Sequence, residues 1–238
     1  EDGLLFKRRA QEIVALSEKT KRDFIRGNRE LSGEIGIGCG EFRSIQIIAQ
    51  IMKEFKKEHP FVTFQIYSGN SSNIKERIES GILDIGVILD YVDIRKYEYV
   101  RIPLSEEWGV LVREDSPLAA MEYVTPEDIR ELPLIISERS MRDNELADWI
   151  GKKYEDLNIV STYNLMYNAA IMVANGMGVA GCIKLDCRYE GTRFVPARPS
   201  VKNNSVFAWK KALSQSQAVS SFIEFSRIYI KRISSNTT

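Results

Sequence analysis

The stretch "RIESGILDIGVIL", Arg77–Leu89, constrains the fold more than any other part of the sequence. A helical pattern stops at Gly81, and an apolar run that opens with Asp84 follows almost at once. This abrupt change from helix to buried strand is typical of an open α/β sheet, in which strands alternate with crossover helices. Ligands bind at the edges of such sheets, so the segment raises the question whether the chain catalyses a reaction or only binds.

The same alternation extends upstream of this stretch. Gly33–Gly38 predicts a strand, a helix starts at Ser44 and stops at His59 before a proline, and Phe61–Tyr67 predicts a second strand. Asn73 and Glu76 have the spacing of a capping box for the next helix. The order strand–helix–strand–helix–strand predicts a parallel sheet with right-handed crossovers. The first helix should bury one apolar face, composed of Ile45, Ile48, Ala49, Met52 and Phe55, and leave Ile47 and Ile51 off it.

The second half of the chain has shorter predicted elements. Two short strands should flank the polar pair Ser105 and Glu106, and a second βαβ pattern spans 133–183. A long last helix over Ser214–Ile233 should be capped by Ser214. The remaining predictions are a strand to Ile136, a helix over Asp143–Lys153, a strand over Ile159–Tyr163, a helix over Asn168–Asn175, and two strands within 191–209.

Residues 1–30 predict one long helix with a narrow apolar stripe. Its apolar stripe recurs at nearly heptad spacing, near Phe6, Ala10, Ile13, Ser17 or Leu16, Thr20 and Phe24. Such a stripe is too narrow for a core-facing helix, and an isolated helix of this length is marginal in water. We therefore expect it to pair with a second copy of the chain, the alternative being that it packs on its own domain.

Composition excludes several classes of function. The 238 residues carry 33 basic and 33 acidic side chains, so no net charge attracts the chain to nucleic acid or to an anionic membrane. No apolar run is long enough to span a bilayer, and because the first residues lack a basic and apolar leader pattern we expect no secretory signal. A structural zinc site is not expected from three cysteines and a single histidine. We expect that histidine, His59, to be exposed. We predict no metal and no cofactor, with Cys39, Cys182 and Cys187 as free thiols; a redox pair of Cys182 and Cys187 is the alternative.

The carboxyl ends of the predicted parallel strands supply a candidate ligand site. Four loops, at 39–44, 68–73, 137–142 and 164–168, lead into helix N-termini, where free N–H groups favour anions. These loops carry hydroxyl, amide and guanidinium groups, the usual partners of a carboxylate. Alternatively, the polar side chains only cap their helices and the arginines are solvated. The candidate effector-binding residues are Phe42, Arg43, Ser44, Asn70, Ser71, Ser137, Glu138, Arg139, Asn164 and Tyr167.

Catalytic chemistry has little support in the sequence. Glu41 and Glu138 lie in the predicted loops, but no pair of carboxylates has the placement that general acid–base catalysis needs. Asp84 opens its strand at the opposite end, where we expect it to pair or cap. Cys39 lacks a second histidine as its base, and no hydrolase, metalloprotease or P-loop motif occurs. We therefore expect a pocket that binds without chemistry.

Several stretches together resemble the LysR-type transcriptional regulators. They are "EDGLLFKRRAQEIVALSEKTK", "LSGEIGIG", "IMKEFKKEHPFVTFQIYSGNSSNIKERIESGILDIGVI" and "NAAIMVANGMGVAGCI". The resemblance implies an α/β fold of the periplasmic-binding-protein type II kind, with two Rossmann-like lobes joined by crossing strands. It further implies a linker helix at 1–30, one lobe at 32–106 and 205–238, and the other lobe at 107–204. A winged helix-turn-helix would precede Glu1 in such a regulator.

The resemblance implies the effector-binding and oligomerisation portion of a transcription regulator. A small, polar and anionic metabolite would bind between the lobes. The portion would form a homodimer or homotetramer in the cytoplasm, with no membrane partner, and would reach DNA only through the absent N-terminal domain. An alternative is the solute-binding protein of a transport system with the same fold, although a secretion signal rather than a mixed-charge helix would then be expected. An enzyme on a similar fold is a weaker third alternative.

Overall fold

A computed structural model of the chain describes residues 2–24, 30–89, 95–138, 145–211 and 215–235. Arg139, Ser214 and Asp143, the residue at which a helix is expected to begin, lie outside these ranges. The chain divides into two compact units. Unit 1 comprises the described residues of Glu1–Gly40, Ser44–Leu104 and Asn204–Thr238, and unit 2 comprises those of Glu41–Arg43 and Ser105–Asn203. Within the described ranges, no helix has the length and apolar character that crossing a membrane requires.

Unit 1 is built on a sheet with the strand order β2-β1-β3-β9. Strands β1 and β2 are parallel, as are β1 and β3, and β9 is antiparallel to β3. The parallel pairing confirms the strand–helix–strand–helix–strand prediction. The elements are α1 Asp2–Phe24, β1 Ser32–Cys39, α2 Ile45–Glu58, β2 Phe61–Ser68, α3 Ser71–Glu79, β3 Ile85–Leu89, β9 Lys202–Lys210 and α7 Gln217–Ser235.

Unit 2 has a mixed sheet. Strand β4 is antiparallel to β7 and to β8, while β5 is parallel to β6 and to β7. The elements are β4 Tyr97–Arg113, α4 Pro126–Ile129, β5 Leu134–Ser137, α5 Glu145–Ile150, β6 Ile159–Tyr163, α6 Met166–Ala174, β7 Val179–Ile183 and β8 Thr192–Pro196, with 3₁₀ turns at Pro117–Ala120 and Tyr154–Asp156.

Two strands carry the chain from one unit to the other. Strand β4 passes from unit 1 to unit 2 at Leu104 and Ser105, and β9 returns at Asn203 and Asn204. The prediction of two α/β lobes joined by crossing strands is therefore confirmed. The prediction of two short strands around Ser105 is wrong, because β4 is continuous through it.

The continuity of β4 has a physical reason. Glu106 is fully buried, and its Oε2 atom accepts a hydrogen bond from the backbone N–H of Arg43 at 3.2 Å. A strand can hold a buried carboxylate when a distant donor satisfies it. Two adjacent polar residues are usually read as a turn in sequence, because a hydrogen-bond donor that is distant in the chain leaves no local signal.

An aromatic cluster forms the centre of the unit 1 core. The Phe55 ring lies 5.0 Å from that of Phe222 and 5.4 Å from that of Phe225, both pairs edge to face. Edge-to-face pairs stabilise by about 0.5–1.5 kcal/mol beyond area burial. His59 also packs on Phe55, with a ring distance of 4.5 Å, so the histidine is half-buried rather than exposed as predicted.

The buried face of α2 differs from the predicted one. Ile48, Ile51 and Phe55 are buried, whereas Ala49 is exposed. The prediction that Ile51 lies outside the core is thus wrong. The helix carries apolar residues on more than half of its circumference, so periodicity alone cannot decide which part of that arc faces the sheet.

The ends of α2 and α3 show which residues start and stop a helix. Asn70 caps α3 by accepting a hydrogen bond from the Asn73 N–H at 2.9 Å, so the predicted capping box at Asn73 and Glu76 is wrong by one turn. Gly81 follows α3 with φ +75°, a left-handed conformation that glycine adopts without strain, and it ends the helix as predicted. Ser44 precedes α2 but makes no side-chain cap bond.

Candidate functional site

Unit 1 brings three of the predicted residues to one sheet edge. Cys39 and Ser68 are paired at the ends of β1 and β2, and the Gly69 N–H donates to the Cys39 carbonyl at 3.1 Å. The loops that follow both strands therefore lie side by side. They contain Ser44, which is fully buried, Asn70, which is half-buried, and Ser71, which is buried at the start of α3.

Residues Glu41–Arg43 group with unit 2 and are anchored there by three hydrogen bonds. The Arg43 Nε atom donates to Asp186 Oδ1 at 2.9 Å, and the Arg43 N–H donates to Glu106. A carboxylate oxygen of Glu41 accepts a hydrogen bond from the Met166 N–H at the start of α6. Sequence reasoning missed Glu106, Asp186 and Met166 as partners, since they lie 63, 143 and 125 residues from their partners along the chain.

These anchors change how two predicted groups can act. The Arg43 side chain is 29% exposed and already forms an ion pair with Asp186. Partly exposed pairs contribute only about 0–1 kcal/mol, so an effector carboxylate can compete for this guanidinium. The start of α6 is different, because the negative charge of Glu41 already lies where an anionic ligand would bind.

The other predicted residues of unit 2 lie near the ends of β5 and β6. Ser137 pairs in register with Tyr163, which places the loops after both strands next to each other. Ser137 is half-buried and Glu138 is exposed. The Asn164 side chain forms a hydrogen bond with the next residue, since its Oδ1 atom accepts from the Leu165 N–H at 2.9 Å.

Two of the candidate effector-binding residues are aromatic and could supply apolar contact with a ligand. Phe42 is half-buried. Tyr167 is 62% exposed, and its ring centre lies 6.4 Å from that of Tyr189. An exposed tyrosine on a loop-to-helix junction remains available for contact with a ligand.

The groups considered for catalysis have structural roles. Asp84 Oδ2 accepts a hydrogen bond from the Gly36 N–H at 2.8 Å, so this carboxylate fastens β1 to the start of β3, as expected for a pairing role. The Cys39 thiol is buried and donates to the Gly40 carbonyl at 2.9 Å. Burial also raises the pKa of the Cys182 thiol from 9.0 to about 12, so this thiol is protonated and poorly nucleophilic.

All three cysteines are free thiols, with Cys187 exposed. Within the part of the chain that the structure describes, no cluster of three histidine, cysteine or acidic side chains could hold a metal ion.

The LysR substrate binding domain model matches residues 28–229. This chain belongs to that family. The matched region contains both βαβ units and strand β9, through which the chain returns to unit 1. Membership confirms the resemblance seen in the sequence.

Curated relatives are transcriptional regulators. The chain is 32% identical over 155 residues to the uncharacterized HTH-type regulator YwqM of Bacillus subtilis, covering 62% of this chain and 52% of that protein. It is 24% identical over 173 residues to the uncharacterized regulator YfeR of Shigella flexneri, covering 72% of this chain and 56% of that protein. The chain therefore spans about half the length of these relatives. The names of both relatives describe transcriptional regulators rather than enzymes or transport proteins.

Two solved structures share the fold of this chain. The effector binding domain of QuiR, in complex with shikimate, matches with a TM-score of 0.73 at 18% identity and covers 85% of this chain and 99% of that one. CbnR, a LysR family transcriptional regulator, matches with a TM-score of 0.73 at 16% identity and covers 97% of this chain and 81% of that one. At such identities the likeness demonstrates the fold alone.

Proposed function

We propose that this chain is the effector-binding and oligomerisation portion of a LysR-type transcription regulator. It senses a small, polar, anionic metabolite and relays binding to an N-terminal DNA-binding domain in the full-length protein. The family match over 28–229 carries this proposal. The regulator acts in the cytoplasm, and DNA is contacted only through that other domain.

The chemistry of the loops supports a polar anion as the effector. In unit 1, Ser44, Asn70 and Ser71 supply hydroxyl and amide groups at the carboxyl edge of the sheet, beside the N-termini of α2 and α3. A helix N-terminus stabilises a nearby anion by about 0.3–1 kcal/mol, and a charge-assisted hydrogen bond adds about 1.5–3 kcal/mol. Arg43 and Arg139 are the cations that we propose for that bond, Arg43 through exchange of its partner Asp186. A few such contacts with some apolar area support micromolar affinity.

Self-association is the second part of the proposal. Helix α1 leaves Phe6 and Ile13 exposed by 77% and 69% of their surface, although it also contacts its own unit near Gly81 through Leu16. The expected pairing of two copies would remove these apolar side chains from water. We propose a homodimer or homotetramer that uses this helix.

A ligand screen followed by calorimetry tests the effector site. Thermal shift with hydroxylated carboxylates, starting with the shikimate named for the QuiR structure, should identify a ligand that stabilises by about 2.7 kcal/mol at 100 times its dissociation constant. Ser71→Ala should then weaken its binding by about fivefold or more, because a buried hydroxyl is lost. Ser220→Ala, an exposed serine on α7, is the matched control and should bind as the parent does. If Ser71→Ala and Arg139→Ala both bind the ligand as tightly as the parent does, these loops are not the effector site.

A further inference from the structure

A cavity of about 590 Å³ lies wholly within unit 2, and of the loops predicted from the sequence it includes only Met166. It is lined by residues of β4, β7 and β8, by the first residue of α6 and by the segment that follows β7. Pockets that hold small metabolites measure about 300–1,000 Å³. The cavity is thus large enough for a metabolite and is available without any contribution from unit 1.

The floor of this cavity is apolar. Leu111 of β4 is paired with Phe194 of β8, and paired residues of neighbouring strands face the same side of a sheet. Cys182 of β7 lies on that side too, since it is two residues from the Leu111 partner Ala180. Met166 of α6 and Tyr189 complete the apolar wall. Burial raises the pKa of both Cys182 and Tyr189. This direction is expected where the surroundings are poorly hydrated, and such surroundings favour an apolar ligand group.

The rim of the cavity is cationic. The Lys184 Nζ atom lies 5.9 Å from the centre of the Phe194 ring and 3.1 Å from Glu107 Oε2, so its charge is already shared. Arg188 is exposed and, among the residues that the structure describes, forms no ion pair or hydrogen bond. One carboxylate, that of Glu114, also lines the cavity. A guanidinium without an anion beside an apolar floor matches a ligand with one negative charge and an apolar body.

The segment that carries Arg188 is held at both ends. The Lys184 N–H donates to the Glu107 carbonyl at 2.8 Å, and the Glu114 N–H donates to the Gly191 carbonyl at 2.9 Å. The partly exposed ion pair of Asp186 with Arg43 adds a weaker contact in its middle. Because these bonds order the rim before any ligand arrives, little conformational entropy is lost on binding.

We propose that this cavity is a second ligand site, which binds a small monoanion with an apolar body, of the arylalkanoate class. The carboxylate pairs with Arg188 and the apolar body lies on Leu111, Met166, Cys182 and Phe194. The site shares Met166 and the Arg43–Asp186 pair with the predicted effector loops, but its ligand and its test do not rest on the proposed function. Its ligand differs in class from the polar anion proposed for those loops.

The exposed thiol of Cys187 lines the same cavity and reports its occupancy without any label. The rate of Cys187 alkylation by iodoacetamide, measured by peptide mass spectrometry on the whole chain, should fall at least threefold with saturating 3-phenylpropionate. The neutral 3-phenylpropionamide should protect only at concentrations about tenfold higher or more, because it lacks the charge-assisted bond.

Matched variants separate the proposed site from unspecific binding. Arg188→Ala, a change in an exposed loop residue, should raise the half-protecting concentration of 3-phenylpropionate about tenfold or more. Lys153→Ala removes one charge from an exposed residue of the same unit away from the cavity and should leave it unchanged. Each comparison uses the ratio of rates with and without ligand in the same variant. Absence of protection, equal protection by acid and amide, or unaltered protection in Arg188→Ala would each overturn the proposal, whatever the effector screen finds.

Discussion

At the scale of single residues, buried polar groups in this chain serve the fold. Glu106 and Asp84 were open to a catalytic or a turn interpretation in sequence, and both accept a backbone N–H in the structure. A buried carboxylate that loses such a donor pays the full cost of desolvation. Their interactions therefore predict effects on stability rather than on chemistry.

Asp84→Ala should destabilise unit 1. The substitution leaves the Gly36 N–H without its 2.8 Å acceptor, which should lower the free energy of unfolding by about 1–3 kcal/mol. Urea denaturation at pH 7 measures this as a lower midpoint with an unchanged slope. Asp84→Asn keeps a side-chain carbonyl acceptor and should recover part of the loss. A midpoint equal to that of the parent in Asp84→Ala would show that the bond does not stabilise the chain.

Cys182 should make the stability of the chain depend on alkaline pH. Burial raises the pKa of its thiol from 9.0 to about 12, so between these values the unfolded chain loses a proton that the folded chain keeps. Stability is therefore complete below about pH 9 and declines above it, by up to about 1.4 kcal/mol per pH unit from this group.

Urea midpoints measured between pH 8 and 10 test this dependence. Cys182→Ala removes the group, so its midpoint should fall less steeply above pH 9 than that of the parent. Cys187→Ala removes an exposed thiol and serves as the control. Its urea midpoint should fall with pH as steeply as that of the parent. Parallel slopes for the parent and Cys182→Ala would contradict the assignment.

At the scale of elements, α1 presents a surface that unit 1 does not cover. Its first half exposes Phe6 and Ile13, seven residues apart and so on one face, while Ala10 between them is half-buried. The predicted heptad stripe therefore includes an apolar pair that a partner helix could cover. Helix α2 offers less to a partner than the sequence suggested, because Ile51 belongs to the core.

Phe6→Glu combined with Ile13→Glu should reduce self-association. Two charges in an apolar helix seam are unfavourable, so light scattering at about 20 μM should show a smaller species than for the parent if an interface of ~1,600 Å² depends on α1. Gln11→Glu adds a charge at an exposed position outside the stripe and should leave the molar mass unchanged. A parent that is already monomeric, or a doubly substituted chain with the mass of the parent, would refute the role of α1.

At the scale of the whole molecule, charge balance bears on DNA binding. The 33 basic and 33 acidic residues cancel, and phosphate contacts from lysine and arginine supply most nonspecific affinity for DNA. Half of the length of the regulators that this chain resembles lies outside it. These facts support the proposal that DNA recognition lies in another part of the full-length protein.

The chain alone should therefore show no sequence-dependent binding to DNA. Fluorescence anisotropy at 150 mM salt, with a labelled duplex taken from upstream of the regulator's own gene, should detect no saturable binding up to tens of micromolar (about 50 μM). An unrelated duplex of equal length is the control. Tight binding to the first duplex that the second cannot compete away would overturn the assignment.

Local patterns in the sequence predicted the elements well where physical signals are local. The α2 stop before Pro60, the left-handed Gly81 after α3 and the strand Ile159–Tyr163 all follow from residue types within a few positions. The alternation of helix and strand fixed the parallel pairing of β1, β2 and β3 for the same reason. The lobe boundaries at 32–106, 107–204 and 205–238 remain a prediction about autonomous domains, as do the ten effector-binding residues.

The sequence by itself determined the α/β class, the order of elements and the family, because these depend on periodicity, glycine and proline chemistry, and motifs that are contiguous in the chain. Only the tertiary structure decided which face of α2 is buried, why β4 runs unbroken past Glu106, and that Glu41 and Arg43 bind partners in unit 2. The unit 2 cavity belongs to the same group, since its wall joins residues from β4, α6, β7 and β8. The hydrogen-bonded pairs of Glu106, Glu41 and Arg43 are separated by 63 to 143 residues, so their contacts form only when the chain has folded.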